Sequence, residues 1–142
     1  MAEQAGAIPW RWSDRGPEIL LITSSRGNRW IVPKGWIEEG SSPAQCAVDE
    51  AFEEAGVQGV LSSNKPFGVV GFKSRGRERA IVVFLLEVLE VHKRWPDEER
   101  RRRAWLSPEQ AAVKVQDSGL KELLSTVRER LDRTSRSSKR RR

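Results

Sequence analysis

The chain has 142 residues, of which 37% are hydrophobic and 32% are charged, and its formal net charge is +6. This length suits one compact domain, and without a long apolar run or a signal-peptide pattern we expect a cytoplasmic protein with no membrane association. The single cysteine, Cys46, excludes an internal disulfide, and the single histidine excludes a histidine-based metal site or a Ser-His-Asp triad.

The excess positive charge lies at the C-terminal end. Residues 133–142 hold six basic residues and no acid, whereas residues 1–132 hold 20 basic and 20 acidic residues. We therefore expect a folded domain over residues 1–132 and a basic, disordered tail over residues 133–142. The tail suits contact with RNA or another polyanion, or a merely solubilising role, while the neutral body argues against a purely nucleic-acid-binding protein.

The first half of the chain reads as strands followed by one helix. Alternating apolar residues Ile8, Trp10 and Trp12 predict a half-buried strand, residues 18–23 a buried strand, and residues 30–32 a short one. A helix is predicted over residues 43–55. Its start and stop signals are an S-x-x-Q capping box with a proline at the first helical position, and a glycine that can adopt the left-handed conformation (Ser42, Pro43, Gln45 and Gly56).

The second half reads as further strands and a helical end. The Gly/Ser/Asn/Pro-rich stretch after the helix is expected to be a loop leading to a strand over residues 68–73. Residues 80–89 are the strongest strand candidate and residues 104–106 a last short strand. Residues 107–110 repeat the pattern that starts a helix. A final helix is predicted to present one apolar face (Leu120, Leu123, Leu124, Val127 and Leu131). Strands interspersed with amphipathic helices predict a layered α/β fold.

Three carboxylates share one face of the predicted central helix. Glu50, Glu53 and Glu54 are spaced i, i+3, i+4. Like charges at these spacings repel one another, and a divalent cation such as Mg²⁺ favours clustered oxygen ligands of this kind. A solvated acidic face is the alternative interpretation of three glutamates alone.

The spacing around these glutamates resembles the Nudix box, G-x5-E-x7-R-E-U-x-E-E-x-G-U, in which U is aliphatic. The pattern runs from Gly35 to Val57 and includes all three glutamates, but Ser41 replaces its first Glu and Asp49 its Arg. The segments AIPWRW and EILLITSSRGNRWIVPKGW look like the opening strands of Nudix hydrolases. The later WPDEERRRRAWLSPEQA resembles the closing strand and helix of the branch that includes diphosphoinositol polyphosphate phosphohydrolases, so the similarity covers roughly residues 7–131.

This resemblance implies the Nudix fold, a mixed β-sheet sandwiched between helices, and Mg²⁺- or Mn²⁺-dependent hydrolysis of a pyrophosphate. It implies that Glu50, Glu53 and Glu54 act as metal ligands and catalytic residues, with the backbone carbonyl of Lys34 as a further ligand. A glutamate should also activate water. We rank Glu50 first and Glu54 second for this role. An acid later in the chain, such as Glu98 or Glu99, is the alternative.

Substrate phosphates need cationic contacts, and aromatic rings can stack on a base. The candidate substrate-binding residues flank the expected cleft (Arg26, Arg29, Lys34, Gly35, Trp36, Lys73 and Arg75). Trp30 is a second stacking candidate, although core packing or loop support would also explain either tryptophan. Residues 100–103 form a run of arginines that suggests a polyphosphate clamp or a solvated sheet edge.

We therefore predict a pyrophosphohydrolase acting on a phosphorylated small molecule: a nucleoside polyphosphate, a dinucleoside polyphosphate or a diphosphoinositol polyphosphate. One alternative is removal of pyrophosphate from RNA 5′ ends, which the basic tail would suit. Another is a non-hydrolytic ligand sensor that keeps the Nudix fold, because the box departs from its pattern at Ser41 and Asp49.

Overall fold

A computed structural model describes the backbone of residues 3–140 and the side chains of residues 3–135. Its elements in chain order are β1 (Gln4–Ser13), β2 (Gly16–Thr23), β3 (Trp30–Ile31), β4 (Lys34–Trp36), α1 (Pro43–Ala55), β5 (Val57–Leu61), β6 (Gly68–Ser74), β7 (Arg77–Val91), β8 (Arg103–Leu106), α2 (Pro108–Lys114), α3 (Ser118–Ser125) and α4 (Val127–Arg140).

The eight strands form one mixed sheet. β1 lies at its centre and pairs in parallel with the long strand β7 and antiparallel with β2 and β4. β7 also pairs antiparallel with β5 and β6, and β2 with β3 and β8. The predicted mixed sheet is confirmed, and its register places β4 beside the first residues of β1.

Helices cover both faces of this sheet, as the sequence predicts. The apolar side of α1 packs on one face, where Ala47 and Ala51 join Leu20 and Phe84 in a buried cluster. The helices α2, α3 and α4 cover the other face over a larger core of aliphatic side chains. The core is therefore divided by the sheet, and α1 has one side free to carry its glutamates.

The predicted boundaries of α1 are confirmed. The Ser42 hydroxyl accepts a hydrogen bond from the Gln45 backbone N–H at 3.1 Å, and Gly56 ends the helix at φ 67°. The reciprocal half of the capping box does not form, because the Gln45 side-chain amide donates to Asp49 instead, at 2.8 Å. At Gly56 an added Cβ would also lie 2.7 Å from the Trp95 ring, so both backbone conformation and packing favour glycine there.

Two parts of the chain differ from the sequence prediction. The stretch after α1 is not all loop, since residues 57–61 form β5 against β7 with a register shift between Gln58 and Gly59. The predicted final helix is divided at Thr126, whose hydroxyl donates to the Leu123 carbonyl at 2.8 Å. Its apolar face still joins the core, because tertiary packing rather than helical continuity buries it.

The C-terminal residues differ as well. The sequence predicts disorder from residue 133, whereas α4 continues through Arg140. Arginine and lysine have good helix propensity, and the helix is already nucleated by the packed residues Val127 and Leu131. Residues 141 and 142 of the predicted tail lie outside the described residues. Within residues 3–140, no helix has the length and apolar character needed to cross a membrane.

Candidate active site

The glutamate-bearing side of α1 lies against β4. Gly35 touches Glu50 so closely that a Cβ added at Gly35 would lie 2.5 Å from the carboxyl carbon of Glu50. On the same helix, the Cys46 thiol lies 3.6 Å from the carbonyl oxygens of Gly35 and Trp36. The buried Cys46 side chain therefore fills space beneath the glycine turn and links the turn to the helix.

Glu50 lies in an acidic and partly buried environment. Its pKa is raised to about 7, first by burial and then by the neighbouring carboxylates of Glu54, Glu53 and Asp97, against the opposing effect of Arg101. A carboxyl with a pKa near neutrality can hold or release a proton under working conditions. This property fits the first rank given to Glu50 as a catalytic acid or base.

Glu54 has a partner for each carboxylate oxygen. One oxygen accepts the Lys34 backbone N–H at 3.0 Å, and the other accepts an Arg101 guanidinium N–H, also at 3.0 Å. Burial raises the Glu54 pKa, while these two donors oppose that shift. Glu53 is exposed and lies on the solvent side of the helix.

Sequence reasoning missed Asp97, and it considered Arg101 only as part of the arginine run 100–103, without a link to the glutamates. Asp97 is buried, its backbone N–H donates to the Glu53 carbonyl at 3.1 Å, and its carboxylate accepts from Arg101 at 3.2 Å. The only signal in the sequence was an Asp and an Arg four residues apart, inside a charged run that suggests an exposed segment.

The solvated-edge interpretation of residues 100–103 is wrong for two of the four arginines. The Arg101 side chain is only 10% exposed. Arg103 donates to the carbonyls of Ala55 and His92, and its guanidinium lies 3.8 Å from the centre of the Trp95 ring. The connection between β7 and β8 therefore folds over the end of α1 and buries cations that the sequence alone places at the surface.

The three glutamates offer the oxygen donors that a hard divalent cation prefers. Three carboxylates, those of Glu54, Glu53 and Asp97, act on Glu50 against the single cation Arg101, and a bound cation would relieve this excess of negative charge. The donor set therefore fits a divalent ion in charge and ligand type. Within residues 3–135, however, no three Asp, Glu, His or Cys side chains are gathered closely enough to hold a metal. Glu54 is held by Lys34 and Arg101, and Glu53 is exposed.

A cleft of about 240 Å³ opens on the face of the sheet covered by α3. Three of the candidate phosphate-binding cations line it: Arg29, Lys34 and Lys73. Because the Lys34 backbone also holds Glu54, this residue connects the cleft with the acidic cluster. Asp117 is the acidic residue of the lining, so the cleft carries a net positive charge.

The remaining sequence candidates do not line this cleft. Arg26 is exposed in the loop before β3, and Arg75 is at the turn of the β6–β7 hairpin with φ 52°, outside the cleft lining. Trp36 is 53% exposed, with its ring edge-on to Phe72 at 6.4 Å between centroids. An exposed ring beside Gly35 is placed for stacking on a ligand. Trp30 is partly buried against the core.

Neither of the later acids proposed for water activation is found bonded to the glutamates. Glu98 pairs with Arg94 at 3.8 Å, and Glu99 is exposed. Of these three adjacent acids, Asp97 is the one whose charge raises the pKa of Glu50.

A family model and curated relatives match this chain. A model of the NUDIX domain matches residues 3–127. Diphosphoinositol polyphosphate phosphohydrolase 2 of Mus musculus is 38% identical over 106 residues, which cover 72% of this chain and 56% of that protein. Diphosphoinositol polyphosphate phosphohydrolase 3-beta of Homo sapiens is 40% identical over 106 residues, covering 72% and 62%. The chain thus spans roughly 56–62% of the length of these relatives.

Solved structures share the fold. A C. elegans Ap4A hydrolase in a binary complex superposes with a TM-score of 0.75 at 20% identity, covering 93% of this chain and 98% of that one. A MutT protein from Methanosarcina mazei Go1 gives a TM-score of 0.65 at 21% identity, covering 93% of each chain. At these identities the likeness concerns the architecture, including the mixed sheet between helices.

Proposed function

This chain belongs to the Nudix family, and on that premise we propose that it hydrolyses a pyrophosphate bond of a highly phosphorylated small molecule, using Mg²⁺ or Mn²⁺. The observation that carries the proposal is the acidic cluster on α1, where Glu50 lies partly buried against Gly35 with Glu53, Glu54 and Asp97 near it. Lys34 connects this acidic cluster with a cleft lined by cations, because its backbone N–H donates to Glu54 and the residue also lines the cleft. Such a pair of surfaces suits a reaction that needs a metal ion and an anionic substrate.

The charges of these residues suggest which of them would bind substrate and which would bind the metal ion. Arg29, Lys34 and Lys73 would bind and orient the substrate phosphates. Glu50, Glu53 and Glu54 would hold the divalent ion, which when bound neutralises phosphate charge and polarises a phosphoryl oxygen. Glu50 is the preferred group to accept the proton of the attacking water, since it lies partly buried in this cluster against Gly35.

The preferred substrates are a diphosphoinositol polyphosphate or a dinucleoside polyphosphate. The first is named in the curated relatives, at 38–41% identity, and the second in a structural neighbour. The cations that line the cleft would balance the high negative charge of either molecule. The exposed Trp36 ring would favour a ligand that carries a base. Triphosphorylated RNA is the alternative that the basic C-terminal residues favour.

A product-resolved hydrolysis panel tests the proposal. The full chain is incubated with nucleoside triphosphates, a dinucleoside polyphosphate, a diphosphoinositol polyphosphate or triphosphorylated RNA, in Mg²⁺, Mn²⁺ or chelator. We expect release of phosphate or a mononucleotide from at least one substrate, and only with a divalent ion. Glu53→Gln and Glu54→Gln should each lower the rate by at least about 100-fold, the scale of a lost electrostatic or acid-base group.

The matched control is Glu122→Gln, which removes the same charge from an exposed position on α3. It should retain the wild-type rate. Full activity in chelator, or in both cluster variants, would refute a metal-dependent Nudix mechanism. A folded protein that binds a substrate of the panel but hydrolyses none would instead identify a ligand sensor.

A further inference from the structure

Arg101 connects three separate parts of the chain through one guanidinium group. Its Nε donates to Asp97 at 3.2 Å, one terminal nitrogen donates to the Thr23 carbonyl at 3.1 Å, and the other donates to Glu54 at 3.0 Å. The planar fork of an arginine fixes the direction of all three bonds at once. The group therefore has a single orientation in which every partner is satisfied.

The backbone around Arg101 is fixed by further bonds. The Arg102 N–H donates to the Thr23 hydroxyl at 2.9 Å, and the Thr23 N–H donates to the Arg102 carbonyl at 3.1 Å. On the other side, the Trp95 indole N–H donates to the Glu54 carbonyl at 3.1 Å. Arg101 is thus held between the end of β2 and the last turn of α1, which makes it a rigid support.

Together with Lys34, Arg101 determines the orientation of the Glu54 carboxylate. The two donors bind different oxygens of that group, so its plane cannot rotate without breaking a bond. An ionised carboxylate has about four acceptor positions. One position on each oxygen therefore remains available to another partner, in a direction that the two donors have already fixed.

No other basic side chain in residues 3–135 forms a salt bridge with Glu50, Glu53 or Glu54. The helix itself supplies none, because Asp49 adds a further negative charge beside them and accepts a hydrogen bond from Gln45. The cation that pairs with the cluster, Arg101, thus comes from a distant part of the sequence. A buried ion pair is weak evidence for a gain in stability, so its placement at this cluster calls for a functional explanation.

We propose that Arg101, held by Asp97, is a positioning residue that orients the Glu54 carboxylate for binding a divalent cation. This inference rests on the proposed function, since it assigns Glu54 to the cation site. Arg101 acts through Glu54 and does not itself contact the substrate. Groups that orient a metal ligand through hydrogen bonds typically affect metal affinity by about 10- to 100-fold when they are removed.

The test measures Mn²⁺ binding by the full chain without substrate, from the electron paramagnetic resonance signal of free Mn²⁺. Arg101→Gln should weaken Mn²⁺ binding by about 10- to 100-fold. Arg101→Lys, which keeps the charge but loses the fork, should fall between this variant and wild type. The matched control is Arg100→Gln, because Arg100 is 71% exposed and contacts Asp97 but not Glu54. It should bind Mn²⁺ within about twofold of wild type.

A second measurement separates positioning from general stabilisation. In a Glu54→Gln background, Arg101→Gln should have no further effect on Mn²⁺ affinity, because residues that act through one another are not additive. With substrate, Arg101→Gln should require more Mn²⁺ for half-maximal rate, while the KM for substrate at saturating Mn²⁺ changes by less than about threefold. If Arg101→Gln does not fold, Asp97→Asn and Arg101→Lys provide the same comparison.

Unchanged Mn²⁺ affinity in Arg101→Gln would overturn the inference and leave Arg101 a structural ion pair. Tighter Mn²⁺ binding would overturn it too, because Arg101 would then compete with the cation for Glu54. Both results are independent of the proposed hydrolysis. A chain with no hydrolase activity but Arg101-dependent Mn²⁺ binding would refute the proposed function and leave the inference standing.

Discussion

Gly35 lies so close to Glu50 that even a methyl group at position 35 would come within 2.5 Å of the carboxyl carbon. A Cβ and a carboxyl group cannot share that space without movement of the helix or of the side chain. The absence of a side chain at residue 35 therefore allows α1 to approach β4, and this approach places Glu50 in its partly buried environment.

Gly35→Ala should consequently displace Glu50. We expect kcat/KM to fall by about 10- to 100-fold, since small misplacements of a catalytic group have effects of this size. Gly71→Ala is the matched control, because the nearest atom to its added Cβ is 3.9 Å away. Steady-state kinetics of the two variants, with thermal unfolding to confirm folding, provide the measurement. Equal activity of Gly35→Ala and wild type would show that the contact does not determine the position of Glu50.

The buried Cys46 thiol should react slowly. Burial, aided by the nearby charge of Glu50, raises the pKa of this thiol, so little of the reactive thiolate is present at neutral pH. We expect iodoacetamide to modify the native chain at least about tenfold more slowly than the denatured chain at pH 8. Equal rates would mean that the thiol is accessible and its pKa ordinary.

The same shift predicts a pH dependence of stability. Because the folded thiol keeps its proton to higher pH than the unfolded thiol, its stabilising contribution is present below the ordinary thiol pKa and is lost as pH rises through the folded pKa. Lysines titrate in the same range, so the comparison is with Cys46→Ala. Urea unfolding at several pH values above 8 should give a smaller decline for this variant than for wild type.

Asp49 lies beside Glu50 and one helical turn before Glu53, where its charge repels both. Asp49→Arg should therefore raise the free energy of unfolding in chelator by roughly 0.5 kcal/mol. Asp49→Asn removes the charge but keeps an acceptor for the Gln45 amide, which donates at 2.8 Å. This control should gain less than the Arg variant. Urea unfolding measures both, and a loss of stability in both would show that repulsion is unimportant there.

The basic C-terminal residues should be separable from the proposed active site. Deletion of residues 133–142 should leave hydrolysis of small substrates within about twofold, because the buried residues Val127 and Leu131 remain. Binding to RNA should weaken and lose part of its salt dependence, since fewer counterions are released. Hydrolysis assays and RNA titrations at two salt concentrations test this. A loss of small-substrate turnover would place the tail in the active site.

A longer truncation provides the contrast. Deletion of residues 127–142 also removes Val127 and Leu131, and burial of each such side chain contributes about 1.5–3 kcal/mol. Thermal unfolding should therefore separate the two truncations clearly. Similar unfolding temperatures would mean that α4 contributes little to the core.

Local sequence determined much of this protein. The boundaries of α1 followed from Ser42 and Gly56, because caps are set by the chemistry of a few adjacent residues. The strand over residues 18–23 and the central part of β7 followed from their apolar, β-branched composition. The spacing of the three glutamates depends only on helical geometry, so their common face was predictable as well.

Tertiary structure alone decided what surrounds those glutamates. The run of charges from Asp97 to Arg103 reads as solvated, yet the β7–β8 connection folds over α1 and buries Arg101 against Glu54. Contacts between residues 47 positions apart leave no periodic signal in one sequence, because they depend on how packed elements bring the two segments together. The sequence alone therefore predicted the three carboxylates on one helical face. Only the fold showed that Arg101 orients one of them, Glu54.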